Sequence, residues 1–155
     1  MELAALVLTY YASAIVQMAS HALFGHTKRL QAIYRSHTFG HHGTYSRRDL
    51  LQDKWVSSER HVLWYFAIPF APLVAWVYVA TPLSVFLSHL AGMAFSIWWH
   101  IFLHRHYHVR HSPLERFAWF QRKRQWHFVH HRRVRNNYAI VEFWLDRVIG
   151  TFRAA

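Results

Sequence analysis

The chain has 155 residues, which is the size of a single domain. Hydrophobic residues make up 54% of it, yet 18 Lys and Arg outweigh 7 Asp and Glu, and this combination is typical of apolar membrane spans joined to a basic surface. The chain contains no cysteine. Disulfides, iron–sulfur clusters and thiolate zinc sites are therefore excluded, and nitrogen and oxygen remain as metal ligands.

Three long apolar segments indicate membrane-spanning helices in an all-α fold. They cover residues 3–20, 62–80 and 82–103. A helix rises about 1.5 Å per residue and a bilayer core is about 30 Å thick, so each segment is close to the length of a crossing. The pair Thr81-Pro82 predicts a tight turn between the second and third spans.

The distribution of charge predicts the orientation of these spans. All Lys and Arg residues lie in residues 22–60 and 104–155, and basic segments beside spans remain cytoplasmic. We therefore expect one multi-pass membrane domain, residues 1–155, with its amino terminus outside. The histidine-rich residues 21–61 and 104–155 would form a cytoplasmic helical cap. Pro113 to Trp126 predicts an interfacial helix with Arg122, Lys123 and Arg124 toward lipid phosphates, or alternatively a solvated basic helix. Because three spans explain the basic charge, no nucleic-acid partner is expected.

Histidine is the residue type that points to chemistry. Of 15 histidines, only His89 lies deep in a span, and the others lie in the basic segments or at the adjoining span ends. Helical residues three or four apart share a face, whereas an adjacent residue points about 100° away. A cluster of the form H-x2-3-HH therefore predicts two metals a few ångströms apart.

Spacing selects ten candidate metal ligands. They are His21, His26, His37, His41, His42, His104, His108, His127, His130 and His131. His100, His106 and His111 are further candidates, as ligands or as hydrogen-bond partners of ligands, and the His106 and His111 register is an alternative to that of His104 and His108. Imidazole suits Zn, Cu, Fe and Ni alike, but a position beneath apolar helices favours a redox metal acting on lipid over a structural zinc.

Three of these clusters and the carboxyl-terminal segment resemble a known family. The clusters at 21–26, 37–42 and 127–131 are similar to the histidine boxes of membrane di-iron hydroxylases and desaturases. The tail from Asn136 to Phe152 resembles the ending of the fatty acid hydroxylase/sterol desaturase superfamily, although Ala139 stands where that ending has Gly and Leu145 where it has Trp. The boxes of carotenoid hydroxylases are also similar.

The resemblance implies an oxidoreductase of lipid biosynthesis. Such an enzyme holds two Fe ions, uses O2 as co-substrate and hydroxylates or desaturates a C–H bond of a fatty acyl chain, sterol or carotenoid. Its electrons would come from a separate ferredoxin, or from cytochrome b5 with its reductase, and Zn can replace Fe in purified protein. Within the family-like tail, Asp146 and Asn137 are candidates to support the ligands. The alternative is a non-enzymatic, histidine-rich membrane protein that binds or transports metal.

Overall fold

The computed structural model describes the backbone of residues 1–56 and 62–155 and the side chains of residues 1–56 and 69–155. The long helices are α1 (Glu2–Ser20), α4 (Val62–Ala80), α5 (Leu83–Tyr107) and α6 (Ala118–Arg132). The short ones are α2 (Gln31–Arg35), α3 (His42–Thr44) and α7 (Trp144–Val148), with π-helical segments at His21–Gly25 and Ser36–His41 and a 3-10 turn at Pro113–Arg116. The described residues form no β-strand, in agreement with the predicted all-α class.

Among the described residues, two helices are long and apolar enough to cross a membrane, at Glu2–Gly25 and Leu83–Tyr107. The predicted second span lies on α4, whose described side chains make up the shorter apolar stretch Pro69–Ala80. The three crossings, their orientation and the cytoplasmic cap therefore remain predictions. Residues 57–61 of the predicted cap lie outside the described residues.

Helices α1 and α5 run parallel and pack closely along their length. Three side-chain hydrogen bonds keep them in register, between Glu2 and Ser84 (3.1 Å), Thr9 and His89 (2.5 Å), and Gln17 and Ser96 (3.0 Å). Gly92 makes this approach possible, because a Cβ there would lie 2.3 Å from the carbonyl oxygen of Leu6. Small residues and interhelical hydrogen bonds are what hold helices together in lipid, where the hydrophobic effect is absent.

The turn at Thr81-Pro82 reverses the chain between α4 and α5, so α4 runs opposite to the other two helices. As a result, the carboxyl-terminal ends of α1 and α5 lie at one end of the bundle. The histidine-rich segments that follow them are gathered there. Helix α6 and the tail pack on α5 through a core of Leu103, Tyr107, Phe120, Ile140 and Val141.

The predicted interfacial helix differs from the observed structure. The segment breaks at Phe117, where the 3-10 turn ends and α6 begins, and Arg124 is buried instead of facing lipid phosphates. Its guanidinium donates to the carbonyls of Tyr107 (2.9 Å) and Val109 (2.7 Å) and to Glu115 (2.7 Å). The free carbonyls at the end of a helix need donors, and Arg124 supplies them for α5.

We expect Gly92→Ala to destabilise the protein. The added methyl group would push α1 away from α5, and overpacking of this kind costs about 1–3 kcal/mol. The measurement is the unfolding temperature of the detergent-purified protein. Gly43→Ala is the control, because a Cβ at Gly43 has no neighbour within 4 Å. Equal unfolding temperatures for the two variants would contradict the close helix contact.

Candidate metal centre

Ten histidines converge at the end of the bundle in two groups of five. Within each group the ligand nitrogens lie within 4.8 Å of one another. Site A consists of His21, His26, His37, His42 and His130. Site B consists of His41, His104, His108, His127 and His131. These are the ten candidate ligands that the sequence predicts.

The two pairs of adjacent histidines are each divided between the sites. His42 and His130 belong to site A, while their neighbours His41 and His131 belong to site B. The rings of His42 and His131 stack with centroids 4.2 Å apart, so the sites are direct neighbours. The H-x2-3-HH spacing predicts this division of adjacent histidines between two neighbouring metal sites.

The π-helical segments decide which histidines pair in site A. In a π-helix, residues five apart meet on one face. His21 and His26 are five apart, as are His37 and His42, and in both pairs the Nε2 atoms are 3.2 Å apart. With α-helical spacing, His37 would pair with His41, but the π-helix at Ser36–His41 turns His41 toward site B.

Ordinary α-helical spacing applies in site B. His104 and His108 come from the end of α5, and His127 and His131 from α6, each pair four residues apart. In α6 the pair sharing a site is therefore His127 with His131, whereas His130 points to site A.

The further candidate histidines lie outside both groups. The ring of His100 is 6.0 Å from that of His104. His106 Nδ1 is 3.0 Å from Ser112 Oγ, and His111 is exposed with a φ of 56°. Of the two alternative registers on this segment, the structure places His104 and His108 in the site.

The spacing of the imidazole nitrogens fits metal ligation. Nine Nε2 to Nε2 contacts within the two sites measure between 2.8 and 3.2 Å. Where both nitrogens present lone pairs, contacts this close are repulsive, and a central cation satisfies them together. With metal–nitrogen bonds of about 2.1 Å, ligands at right angles lie about 3.0 Å apart and tetrahedral ligands about 3.4 Å apart. The spacing therefore fits five or six coordination better than a tetrahedral zinc site.

In site A, the tail orients two ligands through backbone carbonyls. His21 Nδ1 is 2.6 Å from the carbonyl oxygen of Tyr138, and His130 Nδ1 is 2.8 Å from that of Asn136. Because a carbonyl can only accept, each Nδ1 carries the proton and each Nε2 presents its lone pair to the site.

Site B is supported by a different segment, the loop that follows α3. His131 Nδ1 donates to the carbonyl of Tyr45 at 2.7 Å, and His108 Nδ1 donates to that of Leu50 at 2.9 Å. Sequence reasoning missed this loop, because a carbonyl acceptor can belong to any residue type. It also missed Gly25, where a Cβ would lie 3.0 Å from the ring of His37 and 3.1 Å from that of His21.

Asp146 supports site A without touching a ligand. Its buried carboxylate accepts hydrogen bonds from the backbone N–H groups of Tyr138 (2.8 Å) and Ala139 (2.9 Å) and from the Thr151 hydroxyl (2.6 Å). It thereby fixes the peptide whose carbonyl holds His21.

Asn137 has a related structural role. Its side chain donates to the carbonyls of Trp126 and Arg153, both at 2.9 Å, and accepts from the Arg153 N–H at 2.7 Å. These bonds tie the tail to α6 and stabilise the left-handed backbone of Asn137, whose φ is 53°. Neither Asn137 nor Asp146 is part of a histidine group.

The eight site histidines outside the two candidate spans have a lowered pKa, which keeps them in the neutral form that binds metal. Burial is the largest cause and lowers the pKa of His108 to about 3. Burial, together with the neighbouring imidazoles, also lowers the pKa of His26, His37, His41, His42, His127, His130 and His131. Metal binding therefore needs no deprotonation of these groups at neutral pH.

No protein-family model, curated protein or solved structure matches this chain. The site's geometry thus carries the functional argument.

The metal-free protein should lose stability as the pH falls below about 6.5, the usual pKa of histidine in an unfolded chain. Above that pH both states are neutral, and below it only the unfolded chain takes up protons. Each buried histidine that stays neutral then costs about 1.4 kcal/mol per pH unit. The unfolding temperature of chelator-treated protein, measured in detergent between pH 8 and 5, tests this. A temperature that stays constant below pH 6.5 would be inconsistent with the lowered pKa values.

Asp146→Asn should weaken metal binding at site A selectively. The amide cannot accept from both backbone N–H groups, so the carbonyl that orients His21 is released, and loss of such outer support typically lowers metal affinity about 10–100-fold. Competition with a chromophoric zinc chelator measures the affinity of both sites. Asp53→Asn is the control, because Asp53 is exposed and lies 3.6 Å from Arg110 at the surface. Equal weakening of both sites would argue against the assigned role.

Proposed function

We propose that this protein is a membrane-bound di-iron oxidoreductase that uses O2 to hydroxylate or desaturate a C–H bond of a lipid. The observation that carries the proposal is the pair of adjacent five-histidine sites. Two neighbouring metals with only nitrogen ligands suit redox chemistry at a shared substrate better than a structural role, for which one tetrahedral zinc is enough. The choice of iron and O2 rests on the resemblance to the fatty acid hydroxylase/sterol desaturase superfamily.

When bound, the irons would supply the oxidising chemistry, and the protein supplies geometry and shelter from water. His21, His108, His130 and His131 are oriented by backbone carbonyls. Burial keeps these ligands neutral and shields site B from water. The electrons for each turnover must come from a separate protein, for which a ferredoxin or cytochrome b5 is the proposed class.

The membrane helices provide a place for an apolar substrate. A cavity of about 200 Å³ lies between α1, α4 and α5, lined largely by apolar side chains that include Leu73, Trp76 and Met93. Thr9, at its wall, precedes His21 by twelve residues, or about 18 Å along a helix. A lipid chain bound in this cavity would need to extend about 18 Å along α1 to reach the metal centre. We propose a fatty acyl chain, sterol or carotenoid as the substrate.

Metal analysis of the detergent-purified protein tests the metal centre. We expect about two irons per chain, and a loss of metal in His41→Ala and His130→Ala, each of which removes a buried ligand. His111→Ala is the matched control, because His111 is exposed and outside both groups. Unchanged metal content in both ligand variants would exclude the proposed centre. Two zincs in place of iron call for reconstitution with Fe(II) before activity is judged.

Lipid extracts test the reaction itself. Cells that express the wild-type chain should accumulate a hydroxylated or desaturated lipid that is absent when His130→Ala is expressed at the same level. The readout is mass spectrometry, with incorporation of ¹⁸O from ¹⁸O2 for an alcohol product. Iron-loaded protein that yields no new lipid, with an electron donor present, would speak against the oxygenase.

Metal transport is the second candidate, because polar side chains continue from site A into the bundle. Side-chain hydrogen bonds join Thr9 to His89 and Gln17 to Ser96, and Ser13 is buried on α1 between these two bonds. Polar residues within spans mark ion pathways. Transport predicts that His89→Leu abolishes metal flux into proteoliposomes, whereas the oxygenase predicts no flux in either protein.

A further inference from the structure

The two sites differ in their exposure. In site B all five histidines are buried. In site A, His21, His37 and His130 are buried, but His26 and His42 are partly exposed. The part of site A that is partly exposed is therefore the part formed by these two residues.

Site B is closed by aromatic side chains. Its Nε2 contacts form a chain that begins at His104 and ends at His108. The ring of Trp55 lies 5.9 Å from that of His104 and 6.3 Å from that of His108. Tyr45 stacks on His108 with centroids 4.1 Å apart and on Trp55 at 5.4 Å. The gap between the two end ligands is thus covered by Trp55 and Tyr45.

Tyr45 and Trp55 are themselves fixed in place. The hydroxyl of Tyr45 donates to the carbonyl of Val56 at 3.2 Å and accepts from the N–H of Val56 at 2.8 Å. These bonds hold the segment that carries Trp55 against Tyr45, whose ring stacks on His108. The cover over site B is therefore anchored by hydrogen bonds.

We propose that the two metals have unequal access to solution. Five imidazoles leave one position of a six-coordinate metal for another ligand. In site A this position is open to small ligands past His26 and His42, and the metal exchanges readily. In site B, Trp55 and Tyr45 shield the metal, which is retained. The inference rests on the proposed function only in requiring that both sites hold metal.

Release of zinc to excess EDTA from the zinc-loaded, full-length protein tests this division. Zinc is redox-silent, so no activity is needed. The wild type should release two zincs in two phases, one zinc in each. His42→Ala leaves four imidazoles in site A, which are enough to hold zinc, so it should accelerate the fast phase and leave the slow phase unchanged. Trp55→Ala should leave the fast phase unchanged and accelerate the slow phase by roughly tenfold or more, the range seen when outer support of a metal is lost.

The matched control is Trp119→Ala, because Trp119 is exposed and packs against Phe117 and Trp99, away from both sites. Two zincs released in one phase, or a Trp55→Ala effect on the fast phase alone, would overturn the inference and leave the metal centre intact. A protein that binds no zinc or iron would overturn the proposed function as well.

A second measurement needs no variant. In the cobalt(II)-loaded wild type, azide should change the visible absorption of one cobalt per chain, because only site A admits it. A change at both cobalts, or at neither, would contradict unequal access.

Discussion

The structure depends on the convergence of ten imidazoles, which is unfavourable unless a cation stands between them. Neutral rings with Nε2 atoms about 3 Å apart bring lone pairs together inside a buried volume. Four of the rings are fixed with Nδ1 bonded to a backbone carbonyl, so they cannot turn to escape this repulsion. The arrangement is unfavourable in free energy without metal and favourable with it. Metal binding is therefore coupled to folding of the segments that carry the histidines.

The number of histidines is visible in the sequence, and so is their division between two points. Spacing in the sequence selects ten candidates, and they are the ten that the structure brings together. Their pairing was not predictable from α-helical spacing, because the segments at His21–Gly25 and Ser36–His41 are π-helical. A π-helix has no clear signal in a single sequence, and only the ring contacts show that His37 pairs with His42.

The supporting elements were the least predictable part. Tyr45, Leu50, Asn136 and Tyr138 act through their carbonyls, and these groups are the same in every residue. The apolar runs predict the positions of α1, α4 and α5, and the Thr81-Pro82 pair predicts the turn between α4 and α5. The inward position of Arg124 follows from the free carbonyls at the end of α5, which become visible only when the end of that helix is known.

The contact between α1 and α5 links the helix bundle to the two histidine sites. Each site combines histidines from different parts of the chain. Site A takes His21 from the segment after α1 and His130 from α6. Site B takes His104 from α5 and His131 from α6. The sites can be neighbours only if the ends of α1 and α5 lie side by side, and Gly92 with the Gln17–Ser96 bond secures that register. Helix α6 then joins the sites, because its adjacent histidines point to different sites. Packing within the bundle therefore sets the separation of the sites, and a shift of α1 along α5 would move site A relative to site B.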